Sequence, residues 1–130
     1  MAEFIIKEKL PSLNETISAN RANRYAGAKL KKDIESIIGW AIREAVLTKT
    51  LKPITNPCVI NIEWHEATKR RDVDNIHSSV KFILDAMVKN GILQNDSRKY
   101  VVGFHDTIID DQEDFVVVKL IGYKEAVKDE

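Results

Sequence analysis

The chain has 130 residues, 44% of them hydrophobic, with 5 Gly, 3 Pro, and 20 basic side chains against 20 acidic ones. That length suits one domain, the apolar share can bury a core, and so few Gly and Pro exclude collagen-like and low-complexity chains. A formal net charge of zero excludes a protein that coats nucleic acid by bulk attraction, yet residues 1–105 hold 17 Lys and Arg against 12 Asp and Glu, and residues 106–130 hold 3 against 8.

In chain order, residues 3–9 are short and rich in β-formers, which predicts a strand ended by Pro11-Ser12. Residues 13–27 have no clear hydrophobic period and are rich in Asn, Ser and Arg, so they are expected to be a loop or arm. From Ala28 to Lys49, the residues Leu30, Ile34, Ile37, Ile38, Ala41, Ile42 and Ala45 recur at the three and four residue spacing of an amphipathic helix. Pro53 and Pro57 bracket a connection to a strand over 58–64. A polar loop, Glu66 to Arg71, leads to a second helix over 72–90, with Asp72 as its N-cap and Asn90-Gly91 as its left-handed stop.

Residues 99–109 and 114–122 flank an acidic turn (Asp110, Asp111, Glu113, Asp114) and are expected to close the fold as an antiparallel pair. The order β-α-β-α-β-β predicts an α+β protein: one compact domain over residues 1–130, a small mixed β-sheet packed with two main helices. No apolar run approaches the roughly 20 residues of a membrane span. Met1–Lys9 lacks the apolar stretch of a signal peptide, so a cytoplasmic protein is expected. The lone Cys58 cannot pair within the chain and is expected in the core.

The chemistry concentrates in Arg70-Arg71-Asp72-Val73-Asp74-Asn75, followed later by Asp96. Two carboxylates at i and i+2 at a helix mouth are costly to hold together unless a cation lies between them, and a hard divalent ion such as Mg²⁺ takes oxygen ligands of this kind. The helix N-terminus favours both ionised Asp side chains, and the arginines suit flanking phosphates. At about 100° per residue, Asp74, Ser78, Lys81 and Asp85 share one stripe, with Ile76, Val80, Ile83, Leu84 and Met87 opposite. Lys81 on that stripe could stabilise charge developing at phosphorus, or could pair with Asp85 at i+4. An Asp-x-Asp pair also serves as a helix cap. An EF-hand reading fails because position 77 is His, and His65, His77 and His105 have no zinc spacing. Basic clusters at Arg21, Arg24, Lys29, Lys31 and Lys32, at Lys69, Arg70 and Arg71, and at Arg98 and Lys99 can track a phosphate backbone where they converge.

These blocks, with Lys81-Phe82-Ile83-Leu84-Asp85-Ala86-Met87, Gly91-Ile92-Leu93-Gln94-Asn95-Asp96 and the early Leu10-Pro11-Ser12-Leu13-Asn14, resemble the RusA family of Holliday junction resolvases over most of the chain and in the right order. The resemblance implies a RusA-like fold and a homodimeric, Mg²⁺-dependent endonuclease, often carried by phages and prophages, that cuts four-way DNA junctions symmetrically in recombination and repair. Mn²⁺ is a second candidate metal. By position, Asp72, Asp74 and Asp96 match the metal-binding carboxylates. The commoner family spacing puts the catalytic lysine where this sequence has Ser78, and Lys81 follows three residues later, as in a longer branch of the family.

The leading expectation is therefore a structure-selective nuclease using Asp72, Asp74, Asp96 and Lys81, with Arg21, Arg24, Lys69, Arg70 and Arg71 on DNA. Two further readings stay open: a non-catalytic dimer that binds branched DNA, and a nuclease of broader branched-DNA preference.

Overall fold

The computed structural model describes residues 2–10, 13–67, 79–95 and 97–123, and the side chains of residues 13–16 are outside that description. The elements are β1 (Ala2–Ile6), α1 (Leu13–Ala22), α2 (Arg24–Leu47), β2 (Cys58–Glu66), α3 (Val80–Lys89), β3 (Val101–Asp110) and β4 (Phe115–Gly122). They form a single α+β domain with a four-stranded mixed sheet in the order β1-β4-β2-β3. β4 runs antiparallel to both β1 and β2, while β2 and β3 are parallel. None of the described helices is long and apolar enough to cross a membrane.

Alternation decides which face of the sheet is buried. Along β2 the residues Cys58, Ile60, Ile62, Trp64 and Glu66 are buried and those between them half-buried. Their register partners Leu120, Val118 and Val116 on β4, and Phe4 and Ile6 on β1, share that face. Against it pack Ile34, Ile38, Ile42 and Ala45 of α2 and Val80, Ile83, Ala86 and Met87 of α3. Cys58 lies in this core as expected, and burial pushes its thiol pKa up. Among the described residues, the helices packed into this core are α2 and α3.

Two sequence expectations are corrected. Residues 13–27 are helical, not a loop: α1 ends at Ala22, Asn23 breaks the chain, and α2 starts at Arg24, four residues before the expected start. Asn23 caps α2, its Oδ1 accepting the Ala26 N–H at 2.6 Å. The helical period was invisible because, among the described residues, α1 packs mainly against α2 and needs little apolar surface. Gly27 permits the close approach at this corner, since a Cβ there would collide with the Asn20 side chain.

The second correction concerns β3 and β4, which are not neighbours, because β2 lies between them. A four-residue turn, 111–114, can span the roughly 10 Å across one intervening strand, so hairpin spacing in sequence did not demand hairpin pairing. Burial explains the outcome. β4 carries buried Val116, Val117, Val118 and Leu120 and takes an inner position, whereas β3, with Val101 alone buried, takes the edge.

The C-terminal ends of α2 and α3 are closed by the same device. After α3, Gly91 adopts φ 77° and donates to the Val88 carbonyl at 3.1 Å, while Ile92 donates to Met87 at 2.8 Å. This is a Schellman stop at the predicted Asn90-Gly91, with buried Ile92 packed beneath. After α2, Lys49 takes the glycine position at φ 65°, with its N–H on Val46 and Thr50 N–H on Ala45.

Candidate functional site on the β2–α3–β3 unit

The parallel pair β2 and β3, joined through α3, forms a βαβ unit, and such units bind ligands in the connections around their strand ends. Trp64 faces Ile108, and Glu66 faces Asp110, so the carboxyl ends of the two strands lie side by side. On the helix-covered face this end carries Trp64, Glu66, Asp106 and Asp110. Trp64 is only 1% exposed and donates its indole Nε1–H to Asp106 Oδ1 at 3.0 Å. Glu66 is 5% exposed. Sequence reasoning placed Glu66 in a polar loop, although the alternation Ile60, Ile62, Trp64 carries through to it.

The acidic turn lies across the end of β2. Asp111 N–H donates to the Glu66 carbonyl at 3.0 Å, and Ala67 N–H donates to Asp114 Oδ1 at 2.8 Å. On the opposite sheet face, the His65 ring stacks on Phe115 at 3.9 Å between centroids. Its Nδ1 lies 2.9 Å from Asp111 Oδ2 and its Nε2 3.4 Å from Glu63 Oε1. Carboxylates only accept, so whichever ring nitrogen carries a proton donates to the carboxylate it faces. The Lys119 ammonium, 3.2 Å from Glu63 and hydrogen-bonded to it, holds the Glu63 carboxyl below its ordinary pKa. The Gln112 N–H, and then His65, do the same for Asp111. His65 thus fastens the turn to the sheet, while His105 is exposed.

Of the predicted site residues, Asp72, Asp74, Asp96, Lys69, Arg70 and Arg71 lie outside the described residues, as do His77 and the Asp72 N-cap. Asp72 and Asp74 belong to the β2-to-α3 connection, bracketed by Ala67 and Ser79. Asp96 belongs to the α3-to-β3 connection, bracketed by Asn95 and Ser97. Lys81 is the second residue of α3 and exposed, and among the described residues it makes no ion pair with Asp85. The expected polarity of this helix holds over its described length, since Val80, Ile83 and Met87 are buried opposite Lys81. Arg21 and Arg24 are exposed on either side of Asn23, and no hydrogen bond or ion pair among the described residues joins them to Lys81.

Three carboxylates are the donor chemistry a hard divalent cation takes. Among the described residues, no group of three or more His, Cys, Asp and Glu side chains could hold a metal ion; Asp72, Asp74 and Asp96 lie outside them. Fold and site together define an α+β domain whose acidic motifs fall in the two connections of one βαβ unit. Compared with known proteins, the chain matches no family model and no curated protein.

Proposed function

We propose that the chain is a metal-dependent, structure-selective endodeoxyribonuclease that resolves four-way DNA junctions as a homodimer, acting in recombination and repair. One observation carries the reading. The two acidic segments singled out in the sequence, Asp72 to Asn75 and Asp96, occupy the two connections that flank α3, and α3 itself presents Lys81 free of an ion pair among the described residues. Bound there, Mg²⁺ or Mn²⁺ would supply Lewis acidity at the scissile phosphate. Asp72, Asp74 and Asp96 would hold the ion. Lys81 would balance charge gathering on the phosphoryl oxygens, and Arg21, Arg24, Lys69, Arg70 and Arg71 would grip phosphates without reading sequence.

The reading makes a geometric demand. Ala67 follows the carboxyl end of β2, whereas the Asp96 connection leads to the amino end of β3, where Cys58 N–H donates to the Tyr100 carbonyl at 2.8 Å. The two ends of β2 are about 26 Å apart at 3.3 Å per residue. The assignment therefore requires the segment between Ala67 and Ser79 to bring Asp72 and Asp74 to Asp96. A C₂ dimer would present two such sites to the near-twofold arms of a junction.

The test is cleavage of a labelled four-way junction beside linear duplex, in Mg²⁺ and in EDTA, with wild type and Asp74→Asn. Paired symmetric nicks are expected only with junction, Mg²⁺ and wild type. Asp74→Asn is expected to lose more than about 100-fold, beyond what a residue merely supporting a ligand costs. A fully active Asp74→Asn protein would overturn the assignment.

A further inference from the structure

The outward face of α2 carries a pattern that core packing does not explain. At about 100° per residue and with Tyr25 at zero, Lys29 lies near +40°, Lys32 near −20°, Trp40 near +60° and Arg43 near 0°. The buried Ile34, Ile38 and Ile42 fall on the other side of the helix. Tyr25 is 77% exposed and Trp40 70% exposed, although a large aromatic is ordinarily at least partly covered. The Arg43 guanidinium lies 5.0 Å from the Trp40 ring centroid and 3.5 Å from Asn90 Oδ1, so the aromatic and the cation are held as one unit.

The cations on this stripe are not held in ion pairs among the described residues. Lys29 and Lys32 make no ion pair among the described residues. The neighbouring carboxylates lie outside the arc: Glu35 is paired with Lys89 at 3.3 Å, Glu44 with Lys7 at 3.6 Å, and Asp33 borders the stripe near +80°. From Lys29 to Arg43 the helix rises about 21 Å, the axial length of about six nucleotides. Beside Trp40 opens a groove of about 710 Å³ lined in part by Ile37, Ala41 and Leu47. Cations alternating with exposed aromatic rings form the surface that binds unpaired strands: the cations follow phosphates, and the rings stack bases whatever their identity.

We propose that this stripe is a track for single-stranded DNA, in which Lys29, Lys32 and Arg43 hold phosphates along one strand and Trp40 stacks an unpaired base, as a branch point exposes. That the strand is DNA rests on the endonuclease reading.

Trp40 reports on its own occupancy, because the other tryptophan, Trp64, is buried. Titration with oligo-dT of about 20 nucleotides in EDTA is expected to quench Trp40 emission, with an affinity falling as salt rises at a log–log slope near −2 for three phosphate contacts. The triple variant Lys29→Gln, Lys32→Gln, Arg43→Gln should bind at least about tenfold more weakly and lose most of that slope. Trp40→Phe should abolish the signal. An unquenched Trp40, an unchanged slope in the triple variant, or tighter binding of oligo-U than of oligo-dT would each overturn the proposal. The same preparation is assayed for junction cleavage. Cutting without oligo-dT binding removes the track and leaves the nuclease, while binding without cutting does the reverse.

Discussion

Replacing Trp64 tests the strand order directly, because its indole N–H reaches Asp106 only if β2 and β3 are neighbours. The hydrogen bond, 3.0 Å long, joins a donor on a residue 1% exposed to a half-buried carboxylate. Hydrogen bonds to charged groups contribute about 1.5–3 kcal/mol, and the half exposure of Asp106 lets water recover part of that, so about 1.5 kcal/mol is expected for the pair. Trp64→Phe also removes ring atoms from a packed core, a further loss of about 1–2 kcal/mol. The total, about 3 kcal/mol, is a large part of the 5–15 kcal/mol that stabilises a typical domain. A double-mutant cycle with Asp106→Ala, read by urea denaturation, separates the two contributions, and the coupling term should be about 1.5 kcal/mol. Coupling below about 0.3 kcal/mol would show that the two side chains do not meet and would refute the placement of β3 beside β2.

The two helix stops predict opposite signs for opposite exchanges. Lys49→Gly should stabilise the protein by about 1 kcal/mol, because Lys49 stands at φ 65° where L-residues are strained, and Gly91→Ala, at φ 77° with open space around the new methyl, should destabilise it by a similar amount. Urea midpoints moving the same way for both would contradict the left-handed geometry. Acid should weaken the fold through Glu63. Because Lys119 depresses its folded-state pKa, the unfolded chain takes up the proton first, so this contribution is complete above the unfolded value near 4.3 and is lost as pH falls through the lower folded value. Stability measured between about pH 5 and pH 3 should fall less steeply in Glu63→Gln than in wild type, and identical slopes would exclude the mechanism.

What was legible in the sequence was what local periodicity encodes. Ile34, Ile38, Ile42 and Ala45 marked the buried face of α2, Ile60 and Ile62 the buried face of β2, and Asn90-Gly91 the end of α3, because each signal lies within a few residues of the structure it specifies. The α1 helix escaped for the same reason, since among the described residues it packs mainly against α2 and its sequence shows no clear hydrophobic period. The basic cluster Arg21, Arg24, Lys29, Lys31 and Lys32 was visible as composition, but only the helix sorted it. Lys29 and Lys32 share an outward stripe with Trp40 and Arg43, while Lys31 points elsewhere.

The sequence by itself determined the domain's size, its α+β character, most of its elements and the buried position of Cys58, since hydrophobic spacing and composition are properties of short stretches of chain. Only the tertiary structure decided that β2 separates β3 from β4, that Glu66 and Asp110 lie side by side, and that His65 fastens the acidic turn to the sheet. Those are contacts between residues more than forty positions apart. They depend on which strands can bury most apolar surface when the whole sheet is assembled, and that is a comparison among all four strands at once.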